Sequence, residues 1–245
     1  MKKIILSAVA VFAFGFVSAQ DVKFGVKGGL NLSTIKSTYP GVNGSVQTSP
    51  DNKMLVGFHV GGFAEIGLSD KLSFQPELLF SMEGSKAENS TTETENMGGI
   101  TYTYKETSTS NVVTNYINVP LLLKYKATEN LFFVAGPQVG FLMSAKQDYE
   151  SKSTTTQTVN GNTTTTTDSE TLSGVDVKKQ FESMSYGLDL GAGYFFTENL
   201  FAEVRYNLGL SNNAKPVTEN FGGVNFTYEP IFKANTLQVS LGYRF

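Results

Sequence analysis

The feature that most constrains this chain is a strict alternation of apolar and polar residues, clearest at the C-terminus. In the last ten residues, TLQVSLGYRF, an apolar side chain occupies every second position and the final residue is Phe245. Period-2 alternation describes a β-strand with one apolar and one polar face. A strand at the end of a chain must pair with another strand, and the sequence supplies seven more segments of the same kind.

The eight alternating segments are 22–34, 55–67, 72–84, 100–127, 131–145, 181–196, 200–210 and 236–245. The connections alternate between short turns, in LSDKL, ATENL and FTENL, and long polar stretches. Long loops at one end and tight turns at the other are typical of membrane barrels with an even strand count. We therefore predict an all-β fold: an eight-stranded antiparallel transmembrane up-and-down β-barrel with short periplasmic turns and long extracellular loops.

The N-terminus has the pattern of an export signal. Lys2 and Lys3 precede an apolar run, and Val-Ser-Ala ends at residue 19, before Gln20. This pattern predicts a signal peptide at 1–19, removed from a barrel domain at 20–245. The mature chain keeps 17 basic and 22 acidic residues, a net charge of −5 without a basic stripe, so no nucleic-acid partner is expected.

The polar faces of the strands carry charged residues of both signs. We expect them to point into the lumen because a membrane barrel turns its apolar face to lipid. At eight strands a lumen is only just wide enough for its own side chains, which favours a packed, charge-paired plug. An ion or proton path is the alternative. The predicted lumen charge network comprises Lys23, Lys27, Glu65, Glu77, Lys124, Asp189, Glu203, Arg205 and Arg244.

Two irregular features are also interpreted. Residues 146–180 are rich in Thr, which favours strands, and Asn160-Gly161 is a strong hairpin signal. We predict a polar two-stranded extension of the fifth and sixth strands tipped at this dipeptide, with disorder as the alternative. Pro76, Pro120 and Pro137 lie inside predicted strands, where we expect bulges, loosened pairing or slips of register.

Candidate chemistry is sparse. His59, the single histidine, could act as a general base, but no spacing singles out a nucleophile beside it, so a hydrogen-bonded structural role is favoured. The chain has no Cys, and Asp51, Asp148 and Asp168 lack the spacing of a calcium loop. We predict no catalytic residue, no metal and no cofactor.

Several segments resemble a known family. They are FGVKGGLNLS from Phe24, GLSDKLSFQPELLFS from Gly67, NVPLLLKY from Asn118, GPQVGFLMSA from Gly136 and the terminal LGYRF. In order and across the mature chain, they are similar to the outer-membrane β-barrel domain common in Bacteroidetes, often labelled "porin family". The resemblance implies a Gram-negative outer membrane, contact with its lipid, and assembly by machinery that reads a C-terminal signal at Tyr243 and Phe245.

The resemblance implies no mechanism and offers no catalytic residue to transfer. From the filled lumen and the long loops we expect a structural or surface-interaction role, because such scaffolds place binding in loops. The extracellular ligand is unknown. A narrow porin for ions or small solutes is the alternative, and an outer-leaflet lipid-modifying enzyme is a third possibility.

Overall fold

A computed structural model describes residues 22–40, 46–48 and 53–245, and in these ranges the chain is nearly all β-strand. The twelve strands there are β1 (Val22–Pro40), β2 (Val46–Thr48), β3 (Lys53–Gly67), β4 (Leu72–Met97), β5 (Ile100–Lys126), β6 (Leu131–Val159), β7 (Asn162–Asp176), β8 (Met184–Phe195), β9 (Leu200–Gly209), β10 (Val217–Phe221), β11 (Val224–Tyr228) and β12 (Ile231–Arg244). No helix in the described ranges is long and apolar enough to span a membrane. The predicted signal peptide lies outside the described residues.

Eight of these strands form a closed ring. The order β1, β3, β4, β5, β6, β8, β9, β12 is antiparallel throughout, and β12 returns to pair with β1 from Gly25 opposite Arg244 to Thr38 opposite Ile231. The three tight turns and the C-terminus meet at one end of the ring, called the turn end. The opposite end is called the loop end. The predicted eight-stranded antiparallel barrel is confirmed.

Several strands are longer than predicted. The third predicted strand ends at residue 84, whereas β4 continues to Met97, and β12 starts at Ile231 rather than at 236. The supposed loop at 211–235 contains the β10–β11 hairpin. The alternation rule detects only strands that bury one face, and the end of β4 is exposed on both faces.

The Thr-rich segment forms the predicted hairpin. β6 runs to Val159, β7 begins at Asn162, and both Asn160 and Gly161 have positive φ, as a type I′ turn requires. The extension is larger than predicted, because β4 and β5 rise beside it to give the four-stranded order β4-β5-β6-β7. β7 also ends at Asp176 and does not continue into β8.

The predicted slips of register at the prolines are wrong, whereas the predicted loosened pairing is confirmed. Pairing is interrupted between Pro76 and Leu79 in the β4–β5 ladder and between Pro120 and Leu123 in the β5–β6 ladder. The β4–β5 and β6–β8 pairings keep one register through Pro76, Pro120 and Pro137. Register shifts occur instead between Met54 and His59, between Asn115 and Tyr116, and between Gln147 and Tyr149. They lie towards the loop end, where bulges help strands leave the curved ring for the extension.

The two faces of the ring have opposite chemistry. Outward side chains are large and apolar and remain exposed, including Phe24, Leu30, Phe58, Leu78, Leu123, Phe133, Leu190 and Leu241. Inward side chains are mostly polar or charged and are buried. This arrangement, with polar groups inside the ring and an apolar outer surface directed to lipid, is that of a membrane barrel.

Candidate functional site

The middle of the lumen holds a central ion cluster of Lys27, Glu77, Asp189, Glu203 and Arg205, whose side chains are fully buried. Arg205 donates two hydrogen bonds to Glu77, of 3.0 and 2.8 Å, and its Nη2 lies 2.6 Å from Glu203 Oε1. Lys27 Nζ bridges the same carboxylates at 2.8 Å from Glu77 and 3.1 Å from Glu203. Four strands supply these groups, so the cluster links the walls of the ring.

Asp189 sits at the edge of this cluster. Its Oδ2 is 3.8 Å from Arg205 Nη1, and its Oδ1 accepts a 2.7 Å hydrogen bond from Asn207. Burying charge is costly unless it is paired and hydrogen-bonded. Each charged group of the central ion cluster has a partner of opposite sign, but Asp189 Oδ2, Glu203 Oε2 and Arg205 Nε make no hydrogen bond with the described residues.

A second charged group lies near the turn end. Glu65 accepts a 2.9 Å hydrogen bond from Lys124 and lies 3.3 Å from Arg244. Lys126, which the sequence did not single out, is 3.5 Å from the same carboxylate. The Lys124 ammonium also lies 4.2 Å from the centre of the Phe132 ring, so apolar walls surround this charge.

Aromatic rings close the lumen beside that group. The turn-end aromatic cluster comprises Phe63, Leu122, Phe132, Val134, Phe195 and Phe201. Inward glycines leave space for the rings: a Cβ at Gly193 would lie 2.1 Å from Phe132, and one at Gly242 would lie 2.2 Å from Phe201. The glycine-rich inward faces therefore match a lumen filled by large rings.

His59 belongs to a hydrogen-bond chain on the loop side of the central ion cluster. Its ring nitrogens lie 2.8 Å from Asn31 Oδ1 and 2.8 Å from Ser240 Oγ. A base beside a hydroxyl has the geometry of an activated nucleophile. However, His59 and Ser240 are each 1% exposed, so no bulk lipid reaches them in this conformation. The arrangement suits a structural network.

Glu83 is a buried carboxylate that sequence reasoning missed. It accepts hydrogen bonds from Ser81 at 2.8 Å, Asn118 at 3.0 Å and Thr236 at 3.4 Å. Glu83 follows the inward parity of its strand, but two of its three partners come from β5 and β12, which only the ring brings beside it. Knowledge of the register would have identified this group.

A second apolar cluster closes the loop end. This loop-end cap consists of Ile35, Tyr116, Leu142, Ala145, Val177, Phe181, Ala214 and Phe232. Its members come from four strands, β1, β5, β6 and β12, and from the segments that follow β7 and β9. The lumen therefore has charged and polar layers between two apolar layers.

The remaining predicted residues have different environments. Lys23 is a correction: it is exposed, and it makes no ion pair with the described part of the chain. It lies at the start of β1, where the ring ends, so inward parity no longer means burial. Tyr243 and Phe245 face outward, 46% and 69% exposed, with their rings 5.6 Å apart.

The four-stranded extension, defined as residues 87–110 and 146–176, has two different faces. Paired positions share a face, so the register defines a threonine face of Thr92, Thr94, Thr101, Thr103, Thr154, Thr156, Thr158, Thr163, Thr165 and Thr167. Hydroxyl pairs such as Thr158 and Thr163, 3.1 Å apart, connect its strands. The opposite, acidic face carries Glu93, Glu95, Glu106, Asp168 and Glu170 beside Tyr102, Tyr104 and Tyr149.

At the base of the threonine face, Glu88 accepts hydrogen bonds from Lys53 and ion-pairs with Lys86 at 2.8 Å. These lysines lower the pKa of Glu88 to about 2. In the described residues no group of three or more His, Cys, Asp or Glu is placed to hold a metal ion.

A closed antiparallel ring, an apolar outer band and a polar interior define the class of outer membrane β-barrel proteins. Within that class, the chain belongs to the outer membrane protein beta-barrel domain family, whose model matches residues 18–215. The sequence matches no curated protein. Family membership indicates the outer membrane.

Several solved structures of outer membrane proteins are similar to this chain over most of its length. Ail, the attachment invasion locus protein of Yersinia pestis, in complex with the heparin analogue sucrose octasulfate, has 12% identity and a TM-score of 0.36, covering 92% of this chain and 100% of that chain. OprG of Pseudomonas aeruginosa has 12% identity and a TM-score of 0.39, covering 91% and 95%. The protease OmpT of Escherichia coli has 8% identity and a TM-score of 0.36, covering 93% and 98%.

Proposed function

We propose that this protein is a non-conducting outer membrane barrel that presents its extension as an extracellular interaction surface. The proposal rests on the length of the extension. Residues 87–97 of β4 alone extend ~35 Å beyond the ring at the usual rise per residue of a strand. An exposed four-stranded sheet contributes nothing to a lumen, and surface loops are where rigid scaffolds place binding. No catalytic role is proposed, since His59 and Ser240 are shielded from lipid.

The filled lumen supports the absence of conduction. The turn-end aromatic cluster and the loop-end cap are apolar, and the central ion cluster between them holds its charges in fixed pairs. The refolded mature chain in a planar bilayer is expected to give no single-channel steps, beside a heat-shift gel that verifies folding. Reproducible steps would establish the rival narrow porin, which further predicts wider opening after neutralisation of Glu203 or Arg205.

A trimmed barrel tests the interaction surface. This variant lacks residues 88–97, 100–109, 151–159 and 162–170. The native two-residue turns then join Ala87 to Ser110 and Glu150 to Thr171. The two residues of each pair already lie opposite each other in the sheet. The trimmed barrel should still shift on heating. Labelled full-length protein in micelles should retain ligands on peptide and glycan arrays that the trimmed barrel loses. Identical array patterns would refute the proposal.

The route to the membrane forms part of the same proposal. Residues 1–19 would direct export, and the C-terminal strand, with Tyr243 and Phe245 facing outward, would be read by the outer-membrane assembly machinery. The apolar outer band would then contact outer-membrane lipid. The order of segments similar to Bacteroidetes barrels supports this route.

A further inference from the structure

The outer edge of β7 is open. Among the described strands β7 pairs with β6 alone, and all fifteen of its residues are exposed. An edge strand presents a row of unpaired backbone N–H and C=O groups, and proteins usually protect such edges with charged side chains, proline, β-bulges or covering segments. The charges of β7, such as Asp168 and Glu170, are acidic, and its one register shift lies near its C-terminal end. β7 contains neither lysine nor proline. An extended segment can add to such an edge through main-chain hydrogen bonds.

A cavity adjoins this edge at the base of the threonine face. It has a volume of about 200 Å³, and its polar lining includes Thr109, Asn111, Asp148, Glu150, Thr171 and Ser173. Thr171 and Ser173 belong to β7 itself, so a strand added to the edge would place alternate side chains above the cavity. The register shift between Gln147 and Tyr149 bends the sheet at this point.

The cavity offers hydrogen-bond acceptors and no cation. Asp148 Oδ1 accepts a 2.7 Å hydrogen bond from the Gly174 amide, which leaves Oδ2 to a ligand. Asn111 Oδ1 accepts no hydrogen bond from the described residues, but it is shielded from solvent and is therefore closed to a ligand in the cavity. Lys86, paired in the sheet with Asn111, is engaged with Glu88 at 2.8 Å. Asp148 and Glu150, with no cation among the lining residues, therefore favour a cationic ligand with N–H donors.

We propose that the open edge of β7 binds an extended segment of a partner protein by strand addition, and that an arginine of this segment occupies the cavity. The assignment rests on the proposed function and names the partner's chemistry. A guanidinium carries five donors in a planar fork that matches carboxylate geometry, whereas an ammonium is a point charge. Main-chain pairing supplies affinity and the cavity supplies side-chain specificity. The extension's nine carboxylates against three lysines also favour a basic partner.

The test uses full-length refolded protein in micelles and a labelled nine-residue peptide of alternating Thr and Val with a central arginine. Two matched peptides replace the arginine by neutral citrulline or N-methylate alternate amides to block strand pairing. The cavity variant is Asp148→Asn with Glu150→Gln, which preserves the acceptor for Gly174. The control variant is Glu93→Gln with Glu95→Gln, which removes the same charge from the acidic face and the β4 edge.

The arginine peptide should bind wild type, and citrulline or the cavity variant should each weaken binding about tenfold. The control variant should stay within about twofold, and the N-methylated peptide should not bind. Three results would each overturn the assignment. They are equal losses of affinity in both variants, undiminished binding of the N-methylated peptide, and no binding of the arginine peptide. If the trimmed barrel still loses its array ligands in that case, the proposed function stands and only the partner class is wrong.

Discussion

Arg205 illustrates how much of the lumen depends on single residues. Of the two cations in the central ion cluster, Arg205 is the one that contacts all three carboxylates, and its side chain is fully buried. A buried ion pair adds little to stability compared with a well-packed apolar replacement. Removing one partner, however, leaves the opposite charges buried and unpaired. Loss of Arg205 would therefore leave buried carboxylates without the cation that contacts all of them.

Replacing Arg205 with Met keeps most of the side-chain volume and leaves Lys27 to face three carboxylates. We expect a loss of about 3–5 kcal/mol in the free energy of unfolding, the usual effect of breaking a buried pair. Urea titration of the refolded protein, followed on heat-shift gels, measures it. Lys23→Met removes a cation from an exposed position on β1 and should change stability by less than about 0.5 kcal/mol. Comparable losses in the two variants would contradict the role given to the cluster.

Residue-level prediction succeeded where parity alone determines direction. Lys27, Glu77 and Arg205 alternate with apolar neighbours, and the inward parity placed them in the lumen. Parity could not show which residues touch, because the Lys27–Glu203 contact joins residues 176 positions apart through closure of the ring. It also could not show that Lys23 lies beyond the buried part of the lumen.

At the scale of elements, the sequence predicted all eight ring strands, because each ring strand buries one face and exposes the other. The extension was only half predicted. Asn160-Gly161 identified one hairpin through its turn chemistry, whereas Gly98-Gly99 went unused although both residues have positive φ. The polar run of β4 beyond Lys86 has no hydrophobic alternation, so only pairing with β5 reveals it as a strand. Sheets exposed on both faces escape pattern reading for this reason.

At the scale of the whole molecule, closure depends on β12, which pairs with both β1 and β9. Phe245 follows this strand, and its amide donates a 2.8 Å hydrogen bond to Phe24 O. Its ring is largely exposed on the lipid-facing side and packs against Tyr243. The residue therefore contributes little to the interior, and its position suits recognition during assembly better than stabilisation of the finished barrel.

Deleting Phe245 should accordingly lower the outer-membrane yield in cells while leaving the urea midpoint of any folded fraction nearly unchanged. Phe196→Ala is the matched control, since Phe196 is also an exposed aromatic at the turn end, 57% exposed, but lies outside the terminal strand. Yield is measured by quantifying the heat-shifted band in outer-membrane fractions, and stability is measured on the purified folded protein. Equal yields for wild type and the deletion would refute an assembly signal at Phe245. If stability fell as much as yield, Phe245 would instead be a structural residue. Unfolding of the barrel would then explain why less protein reaches the membrane.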